Sequence, residues 1–347
     1  VQKLLLLTYI LLVPTLTLAD IAFLSDRDGK PDIYVMNDEG GNVRRVTDAP
    51  FSIGNPTWSP DGRQIGFAMD LHSGEPGNPQ GLRQQYDTFI INADGTRQQN
   101  LTEHPALDSG PSWAPDGKYF AFDSGRAVDG TLEIFVMEIA TRKVWQLTHL
   151  GFVASPDWSP DGKKIVYEYV KPGEGRHIYT MDADGGNPRP LLRQPRRGQF
   201  GNTGIISGFP SWSPDGEYIL YTELEVGAKG RVANSILIVH KDTRHLKVLD
   251  TPKRWKLGKT CWADGGNAVL FAAVPNGLGQ PNKLDIFKIY RYDLSDRQII
   301  NLTDHPSDNW GMDWTPHNSL AVSSAAKMTT HWARIKAAAR AAFSPGT

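Results

Sequence analysis

A six-bladed β-propeller, all-β and built of four-stranded blades, is predicted by three observations. A sixteen-residue strand–turn–strand unit occurs six times, a tryptophan follows each copy, and a Pro-Asp-Gly turn follows most of those tryptophans. The units occupy residues 32–47, 87–102, 133–148, 177–192, 235–250 and 288–303. The first reads DIYVMNDEGGNVRRVT: a β-prone run, a Gly-bearing turn, then a short strand ending Val-Thr. That order is a hairpin signature.

The tryptophans are Trp58, Trp113, Trp158, Trp212, Trp262 and Trp314. Ser-Pro-Asp-Gly follows three of them (59–62, 159–162, 213–216) and Ala-Pro-Asp-Gly follows Trp113. Proline presets φ at the second turn position, and glycine accepts the left-handed conformation that closes the hairpin. An apolar strand comes next, such as Ile65-Gly66-Phe67 or Ile165-Val166-Tyr167. Each period therefore supplies a Trp strand (A), an apolar strand (B), a Tyr/Phe strand (C) and a Leu-Thr strand (D). Such a sheet cannot cover both its faces alone, so blades stack around a ring with the tryptophans between them.

Strand counting predicts how the ring closes. The first B strand, Ile21 to Leu24, has no A strand before it, so strand A at 309–314 is expected to pair with the N-terminal B, C and D strands. Residues 319–324 are then surplus, or compete weakly for an edge.

The rest of the chain sets limits. Its 347 residues carry 37 basic and 38 acidic side chains, a formal charge of −1, which provides no whole-chain basic field for nucleic acid. The single cysteine, Cys261, excludes an intramolecular disulfide and any multi-cysteine metal site. Residues 1–19 hold one charge, Lys3, then an apolar run ending Thr17-Leu18-Ala19, and read as a secretory signal peptide. A retained membrane anchor is the alternative. The propeller is expected over 20–325. Beyond it, 326–347 is a helical or frayed tail, with Met328, Trp332, Ile335, Ala339 and Phe343 near one helix face.

Trp-Ser-Pro-Asp-Gly, an Ile-Ala-Phe-like strand, Asp-Ile-Tyr-Val-Met and Leu-Thr together resemble the TolB-type propeller repeat. The family's namesake belongs to the periplasmic Tol–Pal envelope system and carries an α/β domain before its propeller. The resemblance implies a TolB-like six-bladed propeller, here without that domain, in the periplasm or secreted. It further implies an envelope protein or peptide as partner. Similar repeats form the propeller of prolyl-oligopeptidase-type enzymes.

Blade topology puts A–B and C–D turns on one face, where they are short and uniform. B–C and D–A connections lie on the other face, with longer segments expected at 70–86, 193–208, 222–234 and 274–285. Variable loops on a rigid scaffold are where binding resides. The 193–208 segment carries Arg193, Arg196, Arg197 and Phe200, able to grip a carboxylate, a phosphate or an acidic protein patch, or simply to be solvated. The 70–86 segment offers Arg83 and Tyr86. At the pore mouth, the position five before each tryptophan supplies Asp108, Ser207 and Asn309 but also Ile53, Val153 and Leu257; with only three polar it is a poor ring for a metal.

His104 and His305 share Leu-Thr-x-His-Pro contexts and are explained by the repeat. Neither HExxH nor G-x-S-x-G occurs, and the acidic turns at Asp26 and Asp182 lack the terminal carboxylate of a calcium loop. The expectation is a monomeric, non-catalytic binding propeller with no cofactor, metal or membrane span after signal cleavage. The rival reading is a polysaccharide lyase or hydrolase working in the central pore.

Overall fold

The computed structural model describes residues 20–73, 85–192, 204–227, 230–277 and 286–315. The predicted signal segment, the tail and the surplus strand lie outside these residues. The described chain forms six antiparallel sheets of four strands each. Blade 1 holds β1 (Asp20–Ser25), β2 (Asp32–Asn37) and β3 (Arg44–Arg45). Blade 2 is β4 (Ile53–Trp58), β5 (Gln64–Asp70), β6 (Tyr86–Asn92) and β7 (Gln99–Asn100), and blade 3 is β8 (Asp108–Trp113), β9 (Tyr119–Ser124), β10 (Glu133–Glu138) and β11 (Lys143–Gln146). Blade 4 is β12 (Val153–Trp158), β13 (Lys164–Lys171), β14 (Gly175–Asp182) and β15 (Arg189–Pro190). Blade 5 is β16 (Gly204–Trp212), β17 (Tyr218–Gly227), β18 (Gly230–His240) and β19 (Leu246–Val248). Blade 6 is β20 (Lys256–Ala263), β21 (Ala268–Val274), β22 (Lys288–Asp293) and β23 (Ile299–Asn301).

The last strand, β24 (Asn309–Thr315), returns to blade 1 and pairs antiparallel with β1, Asp20 opposite Thr315 and Ser25 opposite Asn309. The two ends of the described chain thus complete one sheet in the order β24-β1-β2-β3, as the strand count predicts.

The repeated motifs have local causes. In the Ser-Pro-Asp-Gly turns, Ser59 Oγ donates to Asp61 Oδ1 at 2.7 Å and accepts the Gln64 amide at 2.9 Å. Ser159 and Ser213 do the same for Lys164 and Tyr218. The Thr that ends the repeat ties D to C: Thr47 Oγ1 accepts the Ile33 amide at 2.9 Å and donates to the buried Asp32 carboxylate at 2.8 Å. Thr102, Thr148 and Thr303 accept the matching amides of Thr88, Ile134 and Ile289. The repeated histidines also serve turns, His104 Nδ1 accepting the Ala106 amide and His305 Nδ1 that of Ser307.

Apolar packing lies between blades. Six clusters each join residues of two neighbouring blades, and each includes one repeat tryptophan. Trp58 packs with Val35 of blade 1 and Phe67 of its own blade, and Trp158 with Val136 of blade 3 and Tyr167. Burying a large apolar side chain contributes about 1.5–3 kcal/mol, so each interface is held by several such contributions.

One expected loop is strand. The sequence places a B–C connection at 222–234, yet β17 and β18 pair as far as Gly227 opposite Gly230. The alternation in Thr222-Glu223-Leu224-Glu225-Val226 accounts for it, since a period of two suits an extended hairpin arm.

Gly185 sits in a C–D turn at φ +86°, where an added Cβ would lie 2.5 Å from the Leu147 carbonyl oxygen of blade 3. Gly29, at φ +92°, has nothing within 4 Å of that point. Gly185→Ala should therefore cost about 3 kcal/mol and Gly29→Ala about 1 kcal/mol, measured by urea denaturation. Equal losses would contradict the blade contact.

Candidate functional site

Every A strand carries one β-bulge. The pairing register shifts between Gly54 and Thr57, Ser109 and Ser112, Ala154 and Asp157, Gly208 and Ser211, Leu257 and Thr260, and opposite Ala22/Leu24 in β24. At five of these bulges the third residue before the tryptophan has positive φ: Asn55, Gly110, Ser155, Phe209 and Gly311. One extra residue re-aims every side chain after it.

The bulge decides what lines the centre of the ring. A cavity of about 420 Å³ is walled by A strands from all six blades. The residue immediately before each tryptophan reaches it: Thr57, Ser112, Asp157, Ser211, Cys261 and Asp313. The position five before, expected at the pore mouth, does not. Ile53, Asp108, Val153, Ser207, Leu257 and Asn309 are all buried and none lines the cavity. Without the bulge the two positions, four apart, would share a side.

Asp157 and Asp313 belong to blades 4 and 1, opposite each other in the ring. Each is held by the next blade: the Trp212 amide donates to Asp157 Oδ2 at 2.8 Å, and the Trp58 amide to Asp313 Oδ2 at 2.7 Å. Ser112 Oγ also donates to Asp157, at 3.3 Å. Two further carboxylates line the wall. Asp123 accepts from Ser109 Oγ at 2.6 Å and from the Ser155 amide, while Glu168 accepts from the Phe209 amide at 2.8 Å and pairs with Arg176 at 3.1 Å. Burial raises the pKa of all four, and Lys259, also in the wall, opposes that shift at Asp157 and Asp313. Asp157 is pushed up to about 7, by burial first and then by Asp313. The Cys261 thiol is likewise raised by burial, which makes it a poor nucleophile.

The wall continues to the B–C and D–A end through Leu132, Phe152, Val170 and Arg176. Phe152 and Phe209 stand there 61% and 42% exposed, both with left-handed backbone (φ 54° and 57°). Bulky residues rarely adopt that conformation, and it clusters at functional sites.

The predicted site residues fall elsewhere or outside the described chain. Asp108 is fully buried and paired with Arg126, whose guanidinium lies over Phe122 and Phe135. Asn309 accepts from Arg27 at 3.2 Å, and Arg27 lies over Phe23 and Tyr34 in the same way. Both polar groups thus anchor an internal arginine. Tyr86 opens β6, half-buried and opposite Asp70, and is not part of the cavity wall. Arg83, Arg193, Arg196, Arg197 and Phe200 lie outside the described residues. The shaft residues were legible only as the position before each tryptophan, where Asp157 and Asp313 stand out among small residues. Among the described residues no three His, Cys, Asp or Glu side chains converge closely enough to hold a metal ion, and no helix is long and apolar enough to cross a membrane.

Fold and shaft define a six-bladed propeller with a carboxylate-lined centre opening toward its loop-rich face. No family model matches the chain. It is 32% identical over 181 residues to the Tol-Pal system protein TolB of Francisella tularensis subsp. holarctica, covering 52% of this chain and 36% of that one. It is 31% identical over 130 residues to a Bacillus subtilis protein described as the uncharacterized peptidase YuxL, covering 30% of this chain and 20% of the relative. The crystal structure of TolB from Acinetobacter baumannii superposes with a TM-score of 0.67 at 18% identity, over 86% of this chain and 67% of that one. The chain spans 20%, 62% and 35% of the lengths of the first curated relatives it matches. The protein is a six-bladed β-propeller that is similar to TolB proteins over the spans given.

Asp157 gives the shaft a pH signature. Its folded pKa, about 7, lies above the unfolded value near 3.8, so the folded state keeps a proton that the unfolded chain releases. The stabilisation from that proton is complete below about pH 4 and lost as pH rises through about 7. Asp157→Asn should be more stable than the parent by about 2 kcal/mol at pH 8, with the gap closing toward pH 4. Denaturant melts across that range check it, and a variant destabilised equally at both ends would contradict it.

Proposed function

We propose that this protein is a non-catalytic propeller, periplasmic or secreted, that binds an envelope protein or peptide through its loop-rich face. The observation that carries the reading is the mouth of the shaft: two exposed phenylalanines in strained backbone around an opening walled by fixed carboxylates. Apolar side chains exposed together at a rim of polar groups fit a protein contact. The segment joining β15 to β16, with Arg193, Arg196, Arg197 and Phe200, connects strand ends on that face and is proposed to contribute to the contact, as is Arg83 between β5 and β6. The partial identity to a Tol-Pal system protein supports an envelope partner. Against bond-making chemistry in the shaft, each of the four wall carboxylates is already engaged by a backbone amide or side chain of a neighbouring blade or its own.

Affinity capture from a bacterial envelope extract tests this. The full chain should retain a partner that a Phe152→Ser/Phe209→Ser variant, melting within about 2 °C of the parent, loses at least tenfold. Retention that ignores this face, or turnover of polysaccharide by the purified chain, would contradict it.

A further inference from the structure

We propose that the central cavity receives one cationic side chain, a lysine or arginine, from the bound peptide. The inference rests on the docking reading above and names the chemistry of the group that enters the shaft.

Charge sets the sign of the ligand. The wall holds four carboxylates, Asp123, Asp157, Glu168 and Asp313, against two cations, Arg176 and Lys259. Arg176 is already paired with Glu168. An anionic group entering here would meet the surplus carboxylates, whereas a cation offsets them.

Hydrogen-bonding capacity points the same way. Thr260, 1% exposed, is a residue of the cavity wall, and its buried Oγ1 has no hydrogen-bond partner. Ser211 Oγ, on the neighbouring blade and in the same wall, is buried and unpartnered as well. Unmet buried hydroxyls are uncommon in folded proteins and mark a place where a partner is missing. A carboxylate has room for about four hydrogen bonds, so Asp157 and Asp313 still have capacity beyond the amides they accept. A group with several donors and no acceptor meets both needs, and ammonium and guanidinium are such groups.

Size and approach complete the match. A cavity of about 420 Å³ accommodates a long side chain and no secondary-structure element. Phe152 and Phe209 flank the way in, and Glu168 fixes the Phe209 backbone through its amide. Aromatic faces at the entrance suit the aliphatic stem and the charge of a passing lysine or arginine.

Binding of a cation is coupled to proton release from the wall. The groups facing Asp157 are Ser112 and the Trp212 amide, with Asp313 and Lys259 acting across the shaft. Affinity should therefore rise between pH 5 and pH 8.

The test is calorimetric titration of the full chain with acetyl-Phe-Gly-Lys-Gly-Phe-amide and its norleucine and glutamate counterparts. The lysine peptide should bind at least tenfold more tightly than the norleucine peptide at pH 8, with the glutamate peptide weakest. Asp157→Asn/Asp313→Asn should erase the lysine preference in a variant that still melts cooperatively. If that variant does not melt cooperatively, Asp157→Asn alone should reduce the preference at least threefold. Equal binding of lysine and norleucine peptides, no binding by any peptide, or a preference that survives the substitutions would overturn the proposal. Those outcomes leave the docking reading intact if Phe152→Ser/Phe209→Ser still abolishes partner capture; if capture is indifferent to those phenylalanines, the docking reading fails instead.

Discussion

The structure depends on sheets that are apolar on both faces having no stable place except between two others like themselves. A blade such as β12–β15 presents Trp158 and Tyr167 to one neighbour and Val166 and Ile178 to the next. Six such sheets satisfy one another only if the ring closes, and closure falls to β24 beside β1. The tryptophans are accordingly spent on packing. Each of the six interfaces uses one, and five of the six are buried below a tenth exposure.

Packing that consumes both faces of every blade leaves the inner edges of the A strands for chemistry. The repeated bulge determines which residues those edges offer. Because the insertion occurs at the same place in every blade, the residue before each tryptophan forms a ring of six, and that ring contains two aspartates on opposite blades. Each aspartate also caps the amide of a tryptophan in the following blade. The same carboxylates therefore tie blades together and give the shaft its charge, so site and scaffold share atoms.

The parts of the molecule encoded by local, repeated chemistry were readable from the chain. Ser59, Asp61 and Gly62 announce a turn by residue type, and the unmatched strand at Ile21 announces the closing partner. The shaft was not readable, because a bulge has no obligatory residue: Asn55, Ser155 and Phe209 adopt the same left-handed conformation as Gly110 and Gly311. Counting back five residues without that insertion led to Asp108 and Asn309, which serve internal arginines. The arm formed by β17 and β18 was missed for another reason: its glutamates resemble a loop unless the alternation with Leu224 and Val226 is weighed. The mouth residues Phe152 and Phe209 carry no motif, and only the ring places them together.

The claim on which this account turns is that the residue before each tryptophan faces an electronegative shaft while the residue five before it does not. Thiol labelling in a Cys261→Ser background measures this directly, using Thr57→Cys and Asp313→Cys against Ser207→Cys with a cationic and an anionic methanethiosulfonate. The account predicts reaction at the first two positions, at least tenfold faster with the cationic reagent, and protection at the third until the chain unfolds. Equal reactivity at all three positions, or faster labelling by the anionic reagent, would contradict it.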